Sequence, residues 1–230
     1  MVFYYTSVET PADDDFGLSD SISRIIYMGK DKFENVPLIK HSHPKNLWFH
    51  VDNYSSAHVY LKTTEEEQLQ NFESLQISDS LLQSLAQFTK ANSIKANKVN
   101  NITIIYTPVD NLYTDGSMDD GTVTFKNPKK VKKVFINKKD NSIVNKITKT
   151  KTEISTDQFI KEQNDLIAEY EREKRRKERE SENEERILAK QYLEQKQRNK
   201  DPYGDLFTEE NVRMNDPAYK SENWLEDDFM

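Results

Sequence analysis

Residues 46–62 read NLWFHVDNYSSAHVYLK, and the fold is decided by how this run is paired. Two stretches rich in aromatic and β-branched residues, 47–51 and 57–62, flank the polar link 53–56. That pattern predicts two antiparallel strands joined as a hairpin. Side chains alternate across a strand, so Trp48, His50 and Asp52 share one face, with Leu47, Phe49 and Val51 on the other. In the second strand His58 and Tyr60 share a face opposite Val59 and Leu61. Two histidines, a tryptophan and the pair Ser55–Ser56 thus gather around one turn.

Working outward, residues 1–6 and 23–28 read as strands, and Gly29 breaks the second. An acidic, Gly/Ser-containing loop is expected at 11–21. A short helix follows over 31–40, with Asp31 placed as its N-cap and Pro37 marking a turn or kink inside it. Residues 63–74 are polar and read as a loop. Ser78 caps an amphipathic helix whose apolar face holds Leu81, Leu82, Leu85 and Phe88. A strand at 101–107 ends at Pro108, residues 110–121 are turn-rich, and 122–126 and 131–137 read as the last strands.

The character changes near residue 141. Ile143, Val144 and Ile147 can still reach the folded part, but residues 171–186 contain no apolar residue at all. Apart from Ser181 and Asn183 they are Glu, Lys and Arg, with opposite charges four apart, as in Glu173–Lys177 and Glu182–Arg186. Each such pair stabilises a helix by about 0.2–0.5 kcal/mol. A coiled-coil seam needs apolar residues every 3.5 positions, so this stretch is a solvated helix with coiled-coil contacts confined to its ends, and Pro202 stops it.

The 230 residues are 35% hydrophobic and 32% charged, against norms of about 45–50% and 25%. Residues 1–140 carry 16 Lys+Arg and 18 Asp+Glu, and residues 141–230 carry 17 and 22, so the net charge of −7 divides as −2 and −5. Only the first part can bury a sizeable core. The expected fold class is α+β: a mixed or antiparallel sheet with two main helices over 1–140, a charged helix or coiled coil over 141–200, and a disordered acidic tail over 201–230. There is no cysteine, which excludes disulfides and thiolate chemistry and fits a reducing compartment. No apolar run is long enough to cross a bilayer, and no secretory signal is present. A protein of the cytoplasm, or alternatively the nucleus, and not an integral membrane protein, is the expectation.

Three features could carry chemistry. The first is the Trp48, His50, His58 surface with Ser55 and Ser56, which offers rings for stacking and donors for hydrogen bonds; the alternative use of the histidines is to tie the hairpin to backbone. A Ser–His–Asp triad from Ser55, His58 and Asp52 can be written down, but no nucleophile-elbow signature accompanies it. His41, His43, His50 and His58 fall short of a supported zinc set. No catalytic residue, metal or cofactor is therefore assigned. The second feature is lysine without acid: Lys90, Lys95 and Lys98 within 86–101, and seven lysines within 126–139, among them Lys129, Lys130, Lys132 and Lys133. Segregated ammonium groups suit phosphates, whereas lysines can also guard an exposed sheet edge. The third is Gly29–Lys30, between a strand and a helix N-terminus, where backbone can approach an anion.

The order YMGKDKFEN, LIKH, LWFHVDNYSSAHVYLK, KANS, NNITIIYTPVDNL and then lysine-rich strands resembles the NFACT-R domain. The whole chain resembles the coiled-coil domain-containing protein 25 family, in which that domain precedes a charged helix and an acidic ending in Phe-Met; residues 227–230 here read DDFM. The resemblance implies an α+β module that binds nucleic acid, chiefly RNA, with DNA also open, and that in larger relatives serves ribosome-associated quality control, engaging the large subunit and transfer RNA. Matching positions are Gly29, Lys30, Asn35, Trp48, His50, Ser55, Ser56, His58, Lys90, Ala91 and Asn92. Asn46 departs from the pattern, standing where relatives carry an acid that would orient His50. The peptide-tailing activity of the larger relatives does not carry over, because their additional domains are missing from this sequence. The function expected is a non-catalytic RNA-binding adaptor whose helix or acidic tail recruits a protein partner. The alternative is a DNA-binding or protein-interaction scaffold.

Overall fold

The structure is a computed structural model that describes residues 1–9, 22–115, 117–119 and 121–200. The loop expected at 11–21 and the tail expected at 201–230 lie outside the described residues. Strand β1 (Val2–Glu9) pairs along its length with β2 (Ile22–Gly29). Helix α1 (Lys32–His41) starts at Asp31, whose carboxylate accepts from the Phe33 and Glu34 amides, and runs through Pro37. Strands β3 (Leu47–Val51) and β4 (Val59–Leu61) form the expected antiparallel pair, with Trp48 opposite Tyr60 and Phe49 opposite Val59.

Residues 63–74 are not a plain loop. They hold α2 (Glu65–Gln68), nucleated by a reciprocal cap in which Thr64 Oγ1 accepts from the Glu67 amide and Glu67 accepts from the Thr64 amide. Glu67 also takes both bonds from Arg24, at 2.7 and 2.9 Å. Helix α3 (Asp79–Ala91), capped by Ser78, is followed by β5 (Ile102–Pro108), the small hairpin β6 (Leu112–Tyr113) and β7 (Thr124–Phe125), and the edge strand β8 (Lys132–Ile136).

The fold continues past residue 140. Helix α4 (Asn141–Thr148) packs Ile143 and Ile147 on the core, and β9 (Thr152–Ile154) pairs with β1. Helix α5 (Thr156–Lys200) then begins with Phe159 fully buried. The compact unit is Met1–Arg172. Composition hid this extension because α4 and β9 bury one face each and expose the rest as Asn, Lys, Thr and Glu. The second unit, Glu173–Met230, contains the rest of α5, where Lys174–Glu178, Arg176–Glu180 and Lys190–Glu194 form i,i+4 ion pairs.

The main sheet has the order β8-β5-β3-β4-β2-β1-β9 and is antiparallel throughout. Its two faces are covered differently. Leu47, Phe49, Val51, Val59 and Leu61 meet Leu81, Leu85 and Phe88 of α3 on one face. Tyr27, Trp48 and Tyr60 meet Leu38 of α1 and Phe159 of α5 on the other. Burying a side chain of this size is worth about 1.5–3 kcal/mol, so each alternation position of β3 and β4 is committed to its layer.

Lys90, assigned from sequence to a phosphate-facing patch, is inside. Its ammonium donates to the carbonyls of Ala96 and Val99 and the residue has no exposed surface. It builds the loop after α3. The Lys90→Met variant is expected to lose about 2–3 kcal/mol of stability, the worth of charge-assisted bonds, in urea denaturation. Unchanged stability would contradict this role.

Candidate nucleic-acid interface

Antiparallel register brings the site together. The row Tyr4, Tyr27, Tyr60, Trp48 and Thr107 crosses β1, β2, β4, β3 and β5. Two residues further along β3, on the same face, His50 lies opposite Ile105, which lies opposite Lys133. Continuing the β3–β4 ladder one step beyond Phe49–Val59 sets His50 against His58, and their ring centroids are 5.4 Å apart and nearly perpendicular. Trp48 lies parallel to His50, 5.2 Å between centroids and 3° between planes, and edge-on to His58 at 5.1 Å.

These rings form the floor of a cleft of about 700 Å³. One wall is the start of α1 with Gly29, Lys30, Lys32 and Asn35; another is the β3–β4 turn, Asn53 to Ala57; a third is Asn92 and Ile94; the last is the arm from Gly121 to Phe125. The turn is fixed by local bonding. Ser56 Oγ accepts from the Val51 amide at 3.1 Å, and Asn53 takes φ 62°, a left-handed conformation that Asn tolerates. Ser93 Oγ donates to the Ser55 carbonyl at 2.6 Å and the Ala57 amide donates to the Asn92 carbonyl at 3.1 Å. The hairpin turn and the loop after α3 are therefore one stitched wall, with the Lys90 ammonium holding the loop from within.

Two glycines are required by close approach. A Cβ on Gly29 would stand 2.9 Å from Glu34 Cβ and 3.2 Å from Asn35 Oδ1. Gly121 has φ +78° and would meet the Lys32 carbonyl at 3.1 Å. Both let the wall elements close around the N-terminal turn of α1.

The imidazoles are not cations. Burial, followed by the neighbouring His50, pushes the His58 pKa down to about 3. Burial likewise lowers His50, against the opposing effect of a Val51 backbone bond and the Asp52 charge. Both rings are neutral near pH 7 and serve as stacking surfaces and neutral donors or acceptors. Trp48 Nε1 and His58 Nδ1 are buried without a hydrogen-bond partner.

The structure thus gathers Gly29, Lys30, Asn35, Trp48, His50, Ser55, Ser56 and His58 into one cleft. The remaining lysines are not on a single face. Lys95 and Lys98 are exposed on the loop after α3. Lys133 is on the cleft side of the sheet, exposed and 3.1 Å from Asp52. Lys132, its neighbour in an alternating strand, turns to the other side, where it donates to the Phe72 carbonyl at 3.1 Å and covers the Phe72 ring. Lys129 is exposed and Lys130 half-buried in the turn Pro128–Lys130, which continues from the cleft wall at Phe125. Asn46 does not orient His50. It donates to the Tyr27 hydroxyl at 2.9 Å and accepts from the Thr63 amide at 3.1 Å. Sequence reasoning missed Asn53, Tyr54, Ile94 and Gly121. Only Gly121, in its turn-rich setting, carried a signal.

His43 lies outside the cleft; burial, then Lys45 and Lys62, lower its pKa to about 4. A histidine whose folded pKa is depressed stabilises the fold fully above its unfolded value, 6.5, and that contribution is lost as pH falls toward the folded value. The melting temperature is therefore expected to fall as pH drops from 6.5 toward 4. A His43→Gln/His58→Gln double variant should show a smaller drop in a calorimetric pH series; an equal drop would contradict the assignment.

The NFACT protein RNA binding domain family matches residues 1–127. Coiled-coil domain-containing protein 25 of Mus musculus is 43% identical over 153 residues, 66% of this chain and 67% of the relative. Protein JLP2 of Saccharomyces cerevisiae is 36% identical over 156 residues, 67% of this chain and 69% of the relative. The solved C-terminal structure of the fibronectin/fibrinogen-binding protein from Streptococcus suis superposes at a TM-score of 0.44 with 21% identity, covering 54% of this chain and 45% of that one.

Proposed function

Because the chain belongs to the NFACT protein RNA binding domain family, and is 43% identical over 153 residues to coiled-coil domain-containing protein 25 of Mus musculus, we propose that it is a non-catalytic RNA-binding adaptor. The observation that carries the reading is the cleft: an aromatic floor of Trp48, His50 and His58 with Lys30 and Lys32 on its wall, and exposed Lys95 and Lys98 on the loop that supplies Asn92 and Ile94 to another wall. Ammonium groups at the mouth hold the phosphate backbone, and the neutral interior receives what the backbone carries. The RNA is ribosomal or transfer RNA in this reading, the working compartment is the cytoplasm, and the charged part of α5 or the acidic residues 201–230 recruit a protein partner.

Counterion release gives the test. Neutralising three or four phosphates of a single strand predicts that the logarithm of affinity falls with that of salt at a slope of about −2 to −3. A Lys95→Ala/Lys98→Ala variant should flatten the slope by about 1–1.5, while Lys132→Met should leave it unchanged, because Lys132 faces away. A salt-independent affinity in filter binding would refute RNA binding by this surface.

A second reading rests on α5, where Ile187, Leu188, Tyr192 and Leu193 are exposed. They offer a short apolar contact to a second copy of the helix, in a scaffold that pairs through it. Sedimentation of the full chain tests this: a dimer that dissociates on Leu188→Glu/Tyr192→Glu substitution supports it, and a monomer at high concentration removes it.

A further inference from the structure

The Trp48–His50 stack is closed at Trp48 and borders the cleft at His50. Trp48 is 1% exposed, shut in by Tyr60, His58 and Phe125. His50 is only half-buried and lines the cleft. The ring face of His50 turned away from Trp48 is therefore where a further planar ring would extend the stack. The same cleft holds polar side chains without a hydrogen bond. Among the described residues, no hydrogen bond engages the side chains of Asn35, Asn53 or Ser55, and all three line the cleft.

We propose, building on the RNA reading above, that the cleft receives one unstacked nucleobase of an RNA strand against the free face of His50. The chain accordingly prefers single-stranded RNA to duplex. The amides of Asn35 and Asn53 and the Ser55 hydroxyl match the donor and acceptor edge of a base, as phosphate oxygens alone would not require. The floor suits an uncharged ring: both histidines are neutral, and the Lys133 ammonium on the same side of the sheet is paired with Asp52. Trp48 Nε1 and His58 Nδ1 in the same ring cluster are buried and unpartnered. Ile94, 87% exposed on the facing wall, offers an apolar contact to the neighbouring base.

A duplex cannot enter. Its base faces are covered by their stacking neighbours, and single strands are the form whose bases splay onto aromatic platforms. Electrostatics alone predicts the reverse order, because a duplex carries the denser phosphate charge. The two contributions are therefore separable.

The experiment is fluorescence anisotropy of the full chain with four probes: a short single-stranded RNA, its blunt duplex, the same strand with abasic riboses, and free adenosine monophosphate. The proposal expects the single strand to bind about tenfold or more tighter than the duplex and the abasic strand, the scale of one stacked base, and far tighter than the free nucleotide. His50→Ala should lower single-strand affinity by about tenfold while leaving duplex affinity and the salt slope unchanged. Equal affinity for single strand, duplex and abasic strand in the unaltered protein would overturn the base pocket but leave the RNA reading standing. A free nucleotide as tight as the strand would overturn the assignment to a polymer. Binding of none of the four would overturn both.

Discussion

Everything in this molecule depends on the register of β3 between β4 and β5. Leu47, Phe49 and Val51 must face α3, so Trp48 and His50 face the other way, and a one-residue slip would exchange the two sets. Because both faces are covered, the slip is forbidden twice: by the aliphatic core on one side and by the Tyr27–Tyr60 and Trp48–His58 contacts on the other. The Tyr27 and Tyr60 rings lie 4.9 Å apart and 3° from parallel. The cleft is thus a by-product of a strongly determined pairing. Its floor is held in place because Trp48 also completes the second core and the two histidine rings pack on it.

That rigidity decides the electrostatic character of the surface. Histidines held in a buried aromatic row stay neutral, so the interior of the cleft is uncharged while the cations lie at its edges. On the proposed RNA-binding reading the labour is divided: ammonium groups gather the polymer without regard to sequence, and the neutral aromatic pocket selects the form in which it is presented. The ion-paired stretch of α5 from residue 173 onward is held by its own i,i+4 charges and requires no core.

Much of this was legible in residues 46–62. Period-two alternation placed Trp48, His50 and His58 together because a half-polar hairpin has only one way to bury Leu47, Phe49 and Val51. The lysines were legible as a number and not as directions. Lys132 and Lys133 are adjacent, so they must face opposite sides, and Lys90 sits on the buried face of an amphipathic helix, where a long apolar stem can enter the core and its ammonium reach backbone carbonyls. Helix α4 and strand β9 were concealed by length: eight and three residues leave too few apolar positions to show a period. Asn53 and Ile94 carried no local signature, since their role comes from the stitching of two loops distant in sequence through Ser55, Ala57, Asn92 and Ser93.

The central claim is that RNA lies in the cleft over Trp48 and His50. The most direct measurement is ultraviolet crosslinking of the full chain to a bound single strand, with the attached peptides mapped by mass spectrometry. The account predicts crosslinks in residues 48–58 and 92–98. Crosslinks confined to the β8 edge at 126–139, or to α5 beyond residue 173, would contradict it.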